Sequence, residues 1–194
     1  MELTNKNYHS FKDLTVFPHD QLVKLFLSIP KATTLGILRK FDKSYTEQLF
    51  NSAPHHLAKQ WRMSLMYERD SVGELMQPAP LVLNENLTIE KAIDLVREIP
   101  KQILFTYGMV VNDNNELTGI LVFRDIVYHD KDDLLKDICF KDPVCFDFNE
   151  NVLEVFVRIA GKQIPEYPVL NDQKQLLGIL RGSHVAESHA LDIM

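Results

Sequence analysis

Two stretches of this chain are nearly the same text: residues 110–121 read VVNDNNELTGIL and residues 169–180 read VLNDQKQLLGIL. Each is a short apolar run, a turn built on Asn-Asp, and a Gly that opens a second apolar run. That order is the pattern of a strand, a tight turn and a returning strand. A duplication this close makes the second part of the chain a tandem of two like modules, and it constrains the fold more than any composition value does.

The copies extend outward. Val72-Gly-Glu-Leu-Met-Gln-Pro-Ala-Pro-Leu-Val-Leu aligns with Leu135-Lys-Asp-Ile-Cys-Phe-Lys-Asp-Pro-Val-Cys-Phe, so that Pro80 falls on Pro143 and Leu81–Leu83 on Val144–Phe146. Next, Ile89, Ala92, Ile93 and Val96 recur at helical spacing, as do Val152, Val155, Phe156 and Ile159. Thr88 and Asn151 stand where an N-cap oxygen is wanted. After each Gly the chain runs into a further helix-like stretch, Arg124–Tyr128 and His184–Ala190. Each module therefore reads β-α-β-β-α.

The N-terminal part has its own period. Phe17-Pro18, Ile29-Pro30, Phe41-Asp42 and Ala53-Pro54 recur every twelve residues, each followed seven residues later by one apolar anchor: Leu25, Ile37, Leu49 and Trp61. Pro tolerates a helix start and Asp caps one. Twelve residues leave about two and a half turns of helix plus a corner. Such units bury little alone and must stack on one another. The expected fold is α+β: an all-α stack of short helices over residues 1–68, then modules over 69–130 and 131–194.

Charge divides the chain in the same place. The net charge is −6, yet residues 1–68 hold nine Lys plus Arg against six Asp plus Glu, and the remainder holds twelve against twenty-one. An acidic repeat region argues against nucleic acid as a partner, because counterion release needs clustered Lys and Arg. No apolar run approaches the roughly 18–20 residues of a membrane helix, and the start lacks the basic-then-apolar order of a secretory signal. Cys139 and Cys145 read as small apolar residues in a reducing compartment. There is no Gly-rich phosphate loop, nucleophile elbow or Cys-x-x-Cys. Adjacent His55 and His56 point about 100° apart on a helix and chelate poorly. Nothing assembles a nucleophile, a base and an oxyanion donor, so an enzyme is not expected.

The tandem β-α-β-β-α module, with Gly119-Ile-Leu-Val-Phe-Arg-Asp125 closing the first copy, resembles a pair of CBS domains. The helical stack in front, and the junction Glu68-Arg-Asp-Ser-Val-Gly-Glu-Leu-Met76, resemble the cytosolic region of MgtE-type magnesium transporters. The resemblance covers roughly residues 15–188. It implies a soluble regulatory region at the cytoplasmic face of the cell membrane, a homodimer joined through CBS helices, and Mg²⁺ and adenosine nucleotides as ligands. The abrupt end at Ala190-Leu-Asp-Ile-Met looks like truncation, in which case a membrane domain is the further partner. The rival reading is a stand-alone nucleotide sensor or protein-interaction module.

Two residue sets follow from the resemblance. For nucleotide, Asp125 matches the closing Asp that holds ribose, although capping competes as its duty. The Ser/Thr position is Val122; in the second copy the two positions are Arg181 and His184. Arg181 can meet a phosphate as a cation. For Mg²⁺, the acids are Asp70 and Glu74 at the junction and Asp130, Asp132, Asp133 and Asp137 between the copies. Two carboxylates 4 Å apart repel by roughly 4 kcal/mol at an effective dielectric of 20, which a hard cation with oxygen ligands reverses. The competing reading of the His129–Asp133 run is a solvated linker. The basic stack attracts an acidic repeat region without any ion, unless Asp42 and Glu47 face the interface.

Overall fold

The computed structural model describes residues 11–192, with the side chains of 11–13 and 188–192 left aside. After a 3₁₀ turn at Phe11–Val16 come four short helices: α1 (His19–Ser28), α2 (Lys31–Leu38), α3 (Lys43–Ser52) and α4 (His55–Leu65). The twelve-residue period places their N-caps at Pro18, Pro30, Asp42 and Pro54. Pro sits just before the first turn with ψ near 140°, extended backbone that turns the corner. Asp42 caps α3 by accepting from the Tyr45 amide at 2.8 Å. Ile37, Leu49 and Trp61 are buried in one shared core with Leu22, Phe26, Leu35 and Phe50, and Leu25 packs at its edge.

The repeat region holds α5 (Val72–Leu75), β1 (Val82–Asn84), α6 (Ile89–Glu98), β2 (Tyr107–Val111) and β3 (Leu117–Val122). It continues with α7 (Leu135–Ile138), β4 (Phe146–Asp147), α8 (Val152–Ile159), β5 (Glu166–Leu170), β6 (Leu176–Arg181) and α9 (Gly182–Asp192). Each module is a three-stranded sheet, β1-β2-β3 or β4-β5-β6, with a parallel first pair and an antiparallel second pair. Thr88 and Asn151 cap α6 and α8 as the spacing predicts. One expected helix differs. Phe123–Tyr128 is a 3₁₀ turn with no buried side chain, where module 2 carries the eleven-residue α9.

The duplicated text folds as duplicated geometry. Asn112 accepts from the amides of Asn114 and Glu116, and Asn171 from those of Gln173 and Gln175. Asn115 and Lys174 then take positive φ, 63° and 60°. The two turns also bond each other: Leu117 N donates to Lys174 O at 3.0 Å, and Leu176 N to Asn115 O at 2.9 Å. Such reciprocity is what an approximate two-fold between like modules requires.

The modules also exchange their opening helices. Val72 and Leu75 of α5 and Met76 just after it lie in the core of module 2 with Phe146, Val155 and Val169. Leu135 of α7 and Cys139 just after it lie in the core of module 1 with Leu83, Ile89 and Val110. Behind each helix one residue pairs with the other module's last strand, Gln77 with Ile179 and Phe140 with Ile120. Gly119 and Gly178 make room for this. A Cβ on Gly119 would stand 2.7 Å from Phe140 O, and one on Gly178 2.5 Å from Gln77 O. A fourth apolar layer, with Met109, Val111, Ile120, Leu176 and Ile179, fills the space between the sheets.

Candidate functional site

The stretch from Tyr67 to Met76 is held from both sides. Toward module 2, Val72 N donates to Glu150 O and Gly73 N to Phe148 O, while Asp70 O accepts from Val152 N. Toward the helical stack, both ends of α2 grip it. Arg39 Nη2 donates to Tyr67 O at 2.8 Å and Arg39 Nε to Glu74 Oε1 at 3.0 Å. Lys31 Nζ donates to Leu75 O and Met76 O, at 3.1 and 2.6 Å. These carbonyls end α5, where a cation meets the negative end of the helix. Burial pulls the Lys31 amine down to about 8, against a smaller upward pull from Glu74.

Glu74 is the pivot of this seam. Its side chain is 6% exposed, accepts from Arg39 and from the Asp70 amide at 2.8 Å, and so is charge-paired and bonded. Asp70 takes φ 61°, and its own carboxylate points into solvent beside Arg69. Ser71 caps α5. Gly73 lies against the Tyr67 ring so closely that a Cβ would come within 2.5 Å of it. Beside the seam an open groove of about 510 Å³ runs between the α1–α2 corner, Trp61, and His184 and Glu187 of α9. Burial lowers the His184 pKa, Glu187 opposes, and Lys31 and Arg181 add to the lowering.

The acids between the modules form a turn. Asp133 Oδ2 accepts from the Asp130 amide at 3.1 Å and stands 3.6 Å from His129 Nδ1. Ile89 N and Glu90 N donate to Asp133 O and Lys131 O, so the turn is tied to the start of α6. Asp132 is exposed and Asp137 lies in α7. Asp70 and Glu74 sit together in the seam, apart from this turn. Among the described residues no three His, Cys, Asp or Glu side chains converge as a metal cage. Asp42 and Glu47 are engaged within the stack, Asp42 as a cap and Glu47 with Arg62 of α4.

A second polar contact joins the modules to each other. Arg181, ending β6, donates from Nη2 to Leu104 O of module 1 at 2.8 Å and stands 3.5 Å from Glu166 Oε1. Glu166 is 4% exposed and accepts from the Thr106 amide at 3.2 Å.

The CBS domain profile matches residues 72–132 and 135–189. The chain belongs to the CBS domain family. A curated relative, the magnesium transporter MgtE of Thermus thermophilus, is 25% identical over 150 residues, which is 77% of this chain and 33% of that protein. MgtE of Bacillus subtilis is 24% identical over 126 residues, 63% of this chain and 28% of its own length. The chain thus spans about a third of the curated relatives it matches. Among solved structures, the soluble part of a magnesium transporter superposes with a TM-score of 0.76 at 19% identity, over 99% of this chain and 76% of that one. The cytosolic domain of the Mg²⁺ channel MgtE in complex with ATP gives 0.74 at 23%, over 95% and 74%. The shared fold therefore includes the helical stack as well as the CBS pair. No helix of the described residues is long and apolar enough to cross a membrane.

Within the CBS pair, Asp125 lies inside the 3₁₀ turn, whose cap is Val122, and its carboxylate meets Arg124 Nε at 3.2 Å. The capping duty weighed for Asp125 is therefore not what it performs. Arg181 is engaged by Leu104 O and Glu166, and His184 Nδ1 is buried without a partner. Sequence reasoning missed Lys31, Arg39 and Glu166. Lys31 and Arg39 look like any cation near a helix end. Glu166 did carry a signal, as the one acid leading the apolar run Tyr-Pro-Val-Leu.

Proposed function

We propose that this CBS pair and its helical stack are the cytosolic, Mg²⁺-sensing regulatory region of an MgtE-like magnesium transporter. The observation that carries this reading is the seam. The helical domain is tied to the segment Tyr67–Met76 of the CBS pair by charged side chains at both ends of α2, while α2 also packs on α9 and Ala32 on the core of module 2. Such a contact transmits a change in local charge as a change in domain position. A membrane domain coupled to module 2 would feel that change.

Mg²⁺ keeps most of its water and takes one or two carboxylates, so it does not need a cage of three. Asp70 at the seam, the Asp130–Asp133 turn and the exposed Asp137 of α7 are where hydrated Mg²⁺ would collect, with Glu74 spent on Arg39. The seam's fixed cations give the docked state a baseline, and the ion adjusts it. A homodimer through CBS helices fits the exposed Leu153 and Val157 on α8. The test is small-angle scattering with Mg²⁺ and with EDTA at matched ionic strength. The reading requires a smaller radius of gyration with Mg²⁺; identical curves would reject it.

Adenosine nucleotide is the second ligand class, favoured by the ATP complex of the MgtE cytosolic domain. Calorimetry with ATP, ADP and AMP decides it, and no heat near millimolar concentration would end it.

A further inference from the structure

The two modules share one cross-strand register, and its outermost pair differs in kind between them. In module 1, Tyr107 opposite Val122 joins the start of β2 to the end of β3. The same register in module 2 holds Glu166 opposite Arg181. An uncharged pair in one copy is an ion pair in the other, with Glu166 4% and Arg181 29% exposed.

Neither member of the pair is satisfied within its own module. Glu166 Oε2 accepts from Thr106 N, sixty residues away, and Arg181 Nη2 donates to Leu104 O, 77 residues away. Both partners belong to the connection between α6 and β2 of module 1. Arg181 Nε is buried without a partner, while the rest of the side chain keeps part of its exposure. A charge pair in such a place is costly to desolvate and is weak evidence for stability on its own. Its two outward bonds, by contrast, fix one segment of the other module.

We propose that the Arg181–Glu166 pair is a bolt that locks the α6–β2 connection of module 1 onto the sheet of module 2. It makes the coupling of the two modules one-sided. Module 2 holds a connection of module 1 by charge, while Tyr107 and Val122 have no charge with which to return the hold. A displacement of β6 or α9 is therefore passed directly to residues 104–106 and to β2 behind them. The inference does not depend on what the CBS pair regulates.

Amide exchange on the full chain tests it, with the variants Glu166→Leu, which removes the acceptor of the Thr106 amide, Arg181→Met and the double variant. Each single variant is expected to speed exchange at Thr106 at least tenfold, with Met109, bonded to Leu81 O within module 1, unchanged. The double variant is expected to keep the fast Thr106 exchange while recovering part of the melting temperature lost by the singles. Arg181→Lys, which keeps the charge but not the two-point reach, serves if Arg181→Met fails to fold, and it too is expected to free Thr106. Folded variants with wild-type exchange at 104–106 would overturn the proposal and leave only an ordinary cross-strand pair.

Discussion

Arg39, at the end of α2, places its Nε 3.0 Å from Oε1 of Glu74 and its Nη2 2.8 Å from the Tyr67 carbonyl. One guanidinium thus holds the helical stack, the linker and the first CBS helix together. Glu74 is nearly fully buried, so the pair is worth more intact than either half is alone. Removing one partner strands the other.

Arg39→Ala leaves the Glu74 carboxylate buried with only the Asp70 amide, and is expected to cost about 2–4 kcal/mol by denaturant titration. Glu74→Gln keeps the acceptor and removes the charge, and is expected to cost about half as much. If Arg39→Ala matches the wild type, the stack is held by apolar packing and the charged seam is incidental.

Gly119 and Gly178 are the places where the exchanged segments pass closest to a strand. Gly178→Ala drives a methyl against the Gln77 carbonyl, and Gly119→Ala drives one against Phe140 O and Cys139 Sγ. Each is expected to lower stability by about 1–3 kcal/mol, as overpacking against a backbone atom does. A Gly36→Ala control, with open space around it, is expected to be near neutral or slightly stabilising. Equal behaviour at all three sites would contradict the exchanged packing.

Lys31 makes the seam respond to pH. Its amine titrates near 8 in the folded chain and near the ordinary 10.5 when unfolded. The unfolded chain therefore binds more protons between those values, and stability rises with pH from about 8 toward 10.5. The contribution is at most about 3–4 kcal/mol, at 1.36 kcal/mol for each pKa unit. Lys31→Met is expected to flatten that part of the stability profile. A wild-type profile that falls through this window, with Lys31→Met falling in parallel, would contradict it.

Cys145 is kept as a thiol, pushed up to about 11 by burial and by the Asp142 carboxylate. Its thiolate fraction at pH 8 is on the order of one in a thousand, so alkylation by iodoacetamide is expected to be far slower than for a free thiol. Complete reaction within minutes on the folded chain would contradict that environment.

Much of the fold was legible because its signals are local. The doubled Asn-Asp turn and the Gly after it are each a backbone requirement written in one residue type. The twelve-residue period of Pro and Asp marked four helix starts. The 3₁₀ turn at Phe123–Tyr128 was not legible, because its apolar residues repeat at a helical spacing but only Phe123 and Ile126 reach the edge of module 1's core, leaving Val127 and Tyr128 exposed. The seam was hidden for a different reason. Lys31 meets Leu75 and Met76, and Arg39 meets Tyr67, through backbone carbonyls, which leave no mark in sequence. The Glu166–Arg181 pair was visible only as a departure from the repeat at one register. The acidic turn Asp130–Asp133 read as a site or a solvated linker; its bonds to the start of α6 make it a structured turn.

The central claim is that Mg²⁺ tightens the seam between the helical stack and the CBS pair. Arg69 offers a direct reporter, because its side chain is 74% exposed in the linker that the seam holds. Tryptic cleavage after Arg69 should be followed with Mg²⁺ and with EDTA at matched ionic strength, for the wild type and for Arg39→Ala. The account predicts slower cleavage with Mg²⁺ in the wild type, and faster cleavage in Arg39→Ala under EDTA. Cleavage at the same rate with and without Mg²⁺ would contradict it.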